Sequence, residues 1–379
     1  MNVYADTAAT TKLSAAALEE MTEALRDTYG NPSADYAAGR EAKVALEAAR
    51  YEIATALGCK TSEITFVSGG SEANNQALLT MAAIGLEMGK THIVTTRMEH
   101  PSVQETLAQI KAMGFSTTTL DPDETGRISH ERVDHAIKAN TCGVCVMLAN
   151  NELGTIQPIH DIAVHCSIKD VLFFTDAVAA VGRIPVDVDE LGVDFLSLSA
   201  HKFGGPKGVG ALYTREGIDL SRVIQGAGQE RGKRAGTENV PGIVGMAAAL
   251  SDKDEKMEAN RAKTEGFRKI LIDLLSDIPG TTFNGSYDHA LPGTVNFCFD
   301  GVPAEELVKA LDEQGICVSA GSACHTGTAA PSKTLLAIGR TEEEAKTAIR
   351  ISVNEDNTEE EIRYLCEQVS ACAARLRRP

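Results

Sequence analysis

The sequence predicts an α/β protein, with a large domain on a mostly parallel sheet and a smaller α+β domain behind it. Three observations carry this. Short apolar runs alternate with helical stretches through the first two thirds of the chain. The order of elements changes after a highly charged stretch near residue 250. The chain has 379 residues, 43% of them hydrophobic, enough for one large core or two unequal ones.

The runs 64–68, 92–96, 116–120, 144–149, 171–175, 195–199 and 210–213 read as short buried strands. Between them, 37–57 and 72–85 are alanine-rich, with apolar residues at helical spacing. The stretch SDKDEKMEANRAKTEGFRKILIDLL, 251–275, reads as one long amphipathic helix. Beyond it come a strand (294–299), a helix (304–313), two strands (316–319 and 348–353) and a helix (358–375). The expected domains are 13–257, and 1–12 together with 258–379.

Net charge is −17. A surface that acidic repels phosphate backbones and anionic lipid, so neither nucleic acid nor membrane is an expected partner, and basic acceptor proteins are. The start, MNVYADTAATT, shows no basic segment ahead of an apolar core, and no apolar run is long enough for a bilayer. Nine cysteines at irregular spacing in a long chain suit reduced thiols, so a cytoplasmic protein is expected. Cys142 and Cys145 read as small core residues on a strand. No second pair stands at ligand spacing, so no metal site is expected.

Ligands of open α/β sheets bind at the carboxyl ends of the strands. Strand 64–68 leads into Gly69-Gly70-Ser71-Glu72 and a helix, an anion site or an ordinary turn. Strand 92–96 leads to Glu99-His100, and a loop histidine is usually solvated. Strand 144–149 ends in Asn150-Asn151. Strand 171–175 ends in Asp176, commonly a helix cap. Strand 195–199 ends in Ser199-Ala200-His201-Lys202. Each has a bland reading alone. One sheet edge holding a phosphate cradle, an imidazole, an amide, a carboxylate and a lysine suits one ligand type. It needs a phosphate, a flat ring, a ring nitrogen wanting an anion and an aldehyde wanting an amine. Pyridoxal 5′-phosphate meets all four demands.

Two further residues stand out. Cys324, in the small-residue loop AGSACHTG, is not explained by core packing and is a candidate nucleophile. Arg350 sits inside the apolar strand AIRISV and needs an anion, which a substrate carboxylate would supply.

The chain resembles the cysteine desulfurases, in the class-V branch of the fold-type-I pyridoxal phosphate enzymes. The resemblance rests on ADTAATT (5–11), GNPS (30–33), SGGSEANN (68–75), Glu99-His100, NNELG (150–154), TDA (175–177), SAHKFGGPKGVGALY (199–213), GQERGKRAGTENV (228–240), SAGSAC (319–324) and RISV (350–353). It implies that Lys202 bonds the cofactor aldehyde and later moves the substrate α-proton. Asp176 faces the ring nitrogen, His100 stacks on the ring, and Asn151 lies beside it. Gly70, Ser71, Ser199 and His201 hold the phosphate, with Thr237 of the partner subunit in a homodimer. Arg350 binds the substrate carboxylate, with Asn151 nearby. Cys324 takes the sulfur of L-cysteine as a persulfide and passes it to an acceptor such as an iron–sulfur scaffold. The length of the loop from Cys324 to Pro331-Ser332 resembles the group that serves such scaffolds.

Some positions depart from the family pattern. Ala179 replaces a glutamine that donates to the ring hydroxyl, Tyr36 a histidine, Asn354-Glu355 a Gly-Arg pair, and His325 a small hydroxyl residue. Other readings are a related lyase acting on selenocysteine or another sulfur amino acid, and a non-catalytic partner protein. A dinucleotide-binding dehydrogenase is weaker, because no GxGxxG opens a helix after an early strand.

Overall fold

The computed structural model describes residues 1–321 and 331–377. Cys324 and His325 lie outside the described residues. In chain order the elements are β1 (Val3–Tyr4), α1 (Ala15–Asp27), α2 (Ala37–Ala56), β2 (Ile64–Val67), α3 (Gly70–Glu87), β3 (His92–Thr96), α4 (Pro101–Ala112) and β4 (Ser116–Leu120). Then follow α5 (His130–Ala136), β5 (Thr141–Cys145), α6 (Ile159–Ile168), β6 (Leu172–Asp176), α7 (Val188–Leu191), β7 (Phe195–Ser199) and β8 (Gly210–Thr214). The remainder is α8 (Val240–Glu255), α9 (Met257–Ser276), β9 (Thr281–Asn284), β10 (Thr294–Phe299), α10 (Ala304–Asp312), β11 (Ile316–Cys317), α11 (Lys333–Ala337), α12 (Glu342–Ala345), β12 (Ala348–Ser352) and α13 (Glu359–Leu376).

Seven strands form the main sheet in the order β2-β8-β7-β6-β5-β3-β4. From β7 to β4 all neighbours are parallel, while β8 is antiparallel to both β7 and β2. So β2 runs in the same sense as β7, and its carboxyl end reaches the same edge. Strands β3, β5, β7 and β8 are buried along their whole length. Their continuous apolar runs follow, because helices cover both faces. One face packs Phe173, Leu196, Leu198 and Tyr213 against Ile243 and Met246. The other packs Phe174, Phe195 and Leu212 against Leu78, Met81 and Ile110. Each such side chain contributes about 1.5–3 kcal/mol by leaving water.

A second apolar cluster joins Phe267 and Leu271 of α9, Phe297 and Phe299 of β10, Ile349 and Ile351 of β12, and Leu365 of α13. Val3 and Ala5 belong to it as well. Strand β1 pairs in parallel with β11, and β10 lies between β9 and β12, antiparallel to both.

Two elements differ from expectation. The strand expected at 144–149 begins at Thr141, and regular pairing with β6 ends at Cys145. The backbone stays extended, with the Val146 and Leu148 N–H groups donating to the Phe174 and Asp176 carbonyls. The helix expected over 251–275 is two helices, broken at Lys256 (φ −104°, ψ 8°). No glycine or proline marks the break. The buried stripe of α8, including Met246 and Leu250, faces the main sheet, while that of α9, including Phe267 and Leu271, faces the second cluster. One straight helix cannot serve both.

Candidate active site

The switch in strand order lies between β5 and β3, where the chain steps out to β4 and returns. The site grows from the carboxyl ends around it.

At the end of β2, Gly69 adopts φ 153°, ψ −178°, a conformation open essentially to glycine. A Cβ on Gly70 would come within 2.5 Å of the Val178 side chain. These two glycines set the N-terminus of α3, whose first N–H groups have no acceptor within the helix. Glu72 closes the turn by accepting from the Ser68 N–H at 2.8 Å and pairing with Arg234 at 3.0 Å. Burial acts to raise the Glu72 carboxyl, but the bonds from Arg234 and Ser68 outweigh it and hold the group below its ordinary range. An open cleft of ≈ 460 Å³ lies against this turn, lined by Gly70, Ser71, Ser199, His201, Lys207 and Thr10 among others. A neighbouring hollow of ≈ 380 Å³ shares Ser71 and is lined by His100 and Ser102.

His100 caps α4. Its Nδ1 accepts from the Ser102 N–H at 3.1 Å and lies 2.7 Å from Ser102 Oγ. Burial lowers its basicity; the charge of Asp176 opposes this and that of Lys202 adds to it. Asn74 Nδ2 links Asp176 to Ser102, whose Oγ touches His100 Nδ1. Asp176, 4% exposed, accepts from Asn74 Nδ2 at 2.7 Å and from the Val178 N–H at 3.0 Å. It heads a turn rather than a helix.

Lys202 Nζ donates to the carbonyls of Ala8 and Ala9 at 2.6 and 3.0 Å. The N-terminal segment therefore crosses over the amine. His201 Nδ1 lies 3.2 Å from Thr10 Oγ1. Burial, with the cations of Lys202 and Lys207, pushes its pKa down to about 4, so it is neutral at pH 7.

Arg350 is buried on β12. Its Nη1 donates to the Asn151 carbonyl at 3.0 Å, and its Nη2 to Asp6 at 2.6 Å. The anion the sequence demanded is thus supplied by Asp6, which sequence reasoning missed. Asn151 and Arg350 do come together. Thr237 lines a small crevice with Ser68 and Gly208, which also line the cleft at Ser71, but it does not line that cleft itself. A hollow of ≈ 520 Å³ lies among α4, β3, β4 and α11 and is lined by none of the expected residues.

Glu152 accepts from Ser332 Oγ at 2.6 Å and Thr334 Oγ1 at 3.1 Å, fastening the start of α11 to the loop after β5. Of the departures from the family pattern, Tyr36 is exposed and Ala179 is half-buried. Glu355 pairs with Lys253 of α8.

Glu99, beside His100, is fully enclosed. Burial, with Asp176 adding to it, pushes its pKa up to about 8, even though Thr96 Oγ1 and the Met147 N–H donate to it. The folded protein therefore holds a proton there that the unfolded chain releases near 4.5. The native state binds more protons across that window, so this group lowers stability as pH rises from about 4.5 to about 8, then levels off. Glu99→Gln keeps the shape without the charge. Its melting temperature relative to wild type is expected to climb between pH 5 and 8. A gap constant with pH in calorimetry would refute this.

The family profile Aminotransferase class-V matches residues 3–365. The chain belongs to this family. Within it, the chain is 43% identical over 368 residues to the cysteine desulfurase IscS of Clostridium botulinum, covering 96% of this chain and 92% of that relative. It is 40% identical over 375 residues to the cysteine desulfurase IscS of Methanosarcina thermophila, covering 99% and 93%. Among solved structures, a NifS-like protein superposes with a TM-score of 0.93 at 37% identity, over 99% of this chain and 100% of that one. Members of this family are pyridoxal phosphate enzymes. No helix among the described residues is long and apolar enough to cross a membrane.

Proposed function

We propose that the protein is a pyridoxal 5′-phosphate-dependent cysteine desulfurase. It converts L-cysteine to L-alanine and leaves the sulfur as a persulfide on Cys324. The observation that carries this is that β2, β3, β6 and β7 run in one sense and deliver the α3 N-terminus, His100, Asp176 and Lys202 at their carboxyl ends, in a chain whose relatives bear that name.

The residues present fit the cofactor. The glycine turn that opens α3 beside the cleft suits a phosphate, which Ser71, Ser199 and His201 would also hold, with Thr237 of the partner subunit. Asp176, its carboxylate set by Asn74 and Val178, would face the ring nitrogen. His100 would lie on the ring, with Asn151 beside it. When bound, the cofactor supplies an aldehyde for an amine and a ring that takes up the electron pair of the substrate Cα. Lys202 would be the amine for that aldehyde, and its Nζ, when free, would move the Cα proton. Arg350, already held by Asp6 and the Asn151 carbonyl, would bind the substrate carboxylate through its unpartnered Nε. The Cys324 thiolate attacks the substrate sulfur, so an S–S bond forms as the C–S bond breaks. The carbon keeps the electron pair and takes a proton. Cysteine and the Cys324 thiol thus become alanine and the Cys324 persulfide, with atoms balanced. An acceptor protein, such as an iron–sulfur scaffold, then removes the sulfur.

The same reading assigns the large domain to 13–257 and the small one to 1–12 with 258–379; in support, the first apolar cluster draws on residues 17–250 with Leu291, and the second on Val3, Ala5 and residues 267–373. It includes a homodimer. Leu18, Leu25, Tyr29, Tyr36, Val44 and Tyr51 are all exposed on or beside α1 and α2, an apolar surface that a second copy would cover. Residence in the cytoplasm fits the eight described free cysteines.

The test is product release from L-cysteine with a reductant present. Alanine and sulfide are expected in equal amounts from wild type, with neither from Cys324→Ala. Undiminished alanine release by Cys324→Ala would sink the persulfide step.

A further inference from the structure

Asn74 has no part in the reaction as set out above, yet it is buried one turn into α3 between the groups that do. Its Nδ2 donates in two directions, to Asp176 Oδ2 at 2.7 Å and to Ser102 Oγ at 2.9 Å. Ser102 Oγ in turn lies 2.7 Å from His100 Nδ1. Donor counts and one backbone contact set the polarity of this chain. Asn74 Nδ2 only donates, so Ser102 Oγ accepts from it and keeps one lone pair and its proton. The lone pair on His100 Nδ1, toward which the Ser102 N–H points, turns that proton to the ring. The Ser102 backbone N–H points at the same nitrogen from 3.1 Å. Two donors meeting one ring nitrogen require its lone pair, so the ring proton resides on Nε2.

We propose that Asn74 is a positioning residue that acts through Ser102: it fixes the hydroxyl toward His100, keeps the imidazole neutral with its proton on Nε2, and locks the ring to the same amide that orients Asp176. One side chain thereby couples the group under the ring nitrogen to the group on the ring face. This rests on the reading of Asp176 and His100 as cofactor-facing groups, but the tautomer and its coupling can be measured separately. The charged groups facing His100 are Asp176 from the end of β6 and Lys202 after β7, with Glu105 of α4 on the same hollow. The three variants below leave all of them in place.

The experiment uses the full-length protein as purified, with ¹⁵N-labelled histidine, and follows the His100 ring nitrogens against pH. His100→Gln identifies the signals. Wild type is expected to show the Nε2–H form and to protonate below the ordinary histidine value of 6.5. In Ser102→Ala the neutral ring loses a donor, and its protonation is expected to shift upward by about one unit, a tenfold change. Asn74→Ala should give a similar shift, since the hydroxyl is no longer held. The double variant should shift no further than either single one, because both act on one path. Thermal melts report folding, and Ser102→Ala stands in if Asn74→Ala fails to fold. An Nδ1–H form in wild type, unshifted titration in the variants, or shifts that add would overturn the proposal. Alanine release from L-cysteine by wild type, measured alongside, reports on the desulfurase reading independently.

Discussion

Replacing Lys202 by alanine is expected to abolish alanine release from L-cysteine, by about 10³-fold or more. One positioned proton-transfer group is worth roughly 10²–10⁴-fold, and Lys202 is also assigned the bond to the cofactor aldehyde. Another amine, Lys207, lines the cleft at Ser71, whereas Lys202 lines a crevice beside Thr7 and Thr11. Lys207 cannot take over, because the amine at Lys202 is aimed by the carbonyls of Ala8 and Ala9. The variant should keep its fold, since no core packing is lost, and should lose the covalently held chromophore. Partial rescue by added ethylamine would show that the missing group is an amine. Retention of wild-type turnover in Lys202→Ala would remove the assignment.

The largest loss of stability is expected from Glu230→Ala. Arg50 of α2 and Glu230 are both buried, and their side chains meet in two parallel bonds of 2.8 Å. Glu230 also accepts from the Phe66 N–H at 2.8 Å, and the guanidinium of Arg50 lies 4.6 Å from the Phe66 ring centre. Removing the carboxylate leaves the buried Arg50 only its pair with the part-exposed Glu47, at 3.2 Å, and leaves the Phe66 N–H unbonded, a cost of about 3–5 kcal/mol. Glu230 and Arg231 also occupy left-handed backbone, at φ 47° and 56°, which the ion pair holds in place. Denaturant unfolding should show the loss. Glu230→Gln should recover only part of it. A loss under about 1 kcal/mol for Glu230→Ala would mean that water reaches Arg50.

The central strands were legible because helices cover both sheet faces and bury them throughout; the edge strand β4, Ser116–Leu120, also expected to be buried, is polar and partly exposed because no strand covers its outer side. The end of β5 was misjudged because VCVMLA is more apolar than TCG, while pairing depends on the partner strand. The break at Lys256 has no local signal, because it arises from two cores lying in different directions. The residues at the strand ends could be read one by one, since each follows an apolar run directly. Asn74 could not, because an amide beside Gly-Gly-Ser-Glu looks like a solvated helix start. A spacing of four from Gly70 was the available hint, since such residues share a helix face. Asp6 was missed for a different reason: its partner, Arg350, stands 344 positions away.

The segment around Ala8 and Ala9 also bears on how the protein is made. Val3 and Tyr4 pair with Ile316 and Cys317, and the Ala8 N–H donates to Ser352 Oγ, 344 positions further on. Residues that leave the ribosome early therefore wait for partners made near the end. Until β12 emerges, the amine of Lys202 has no settled roof. Synthesis order thus delays the reactive centre until nearly the whole chain is free to fold, at the kinetic cost of closing long loops last.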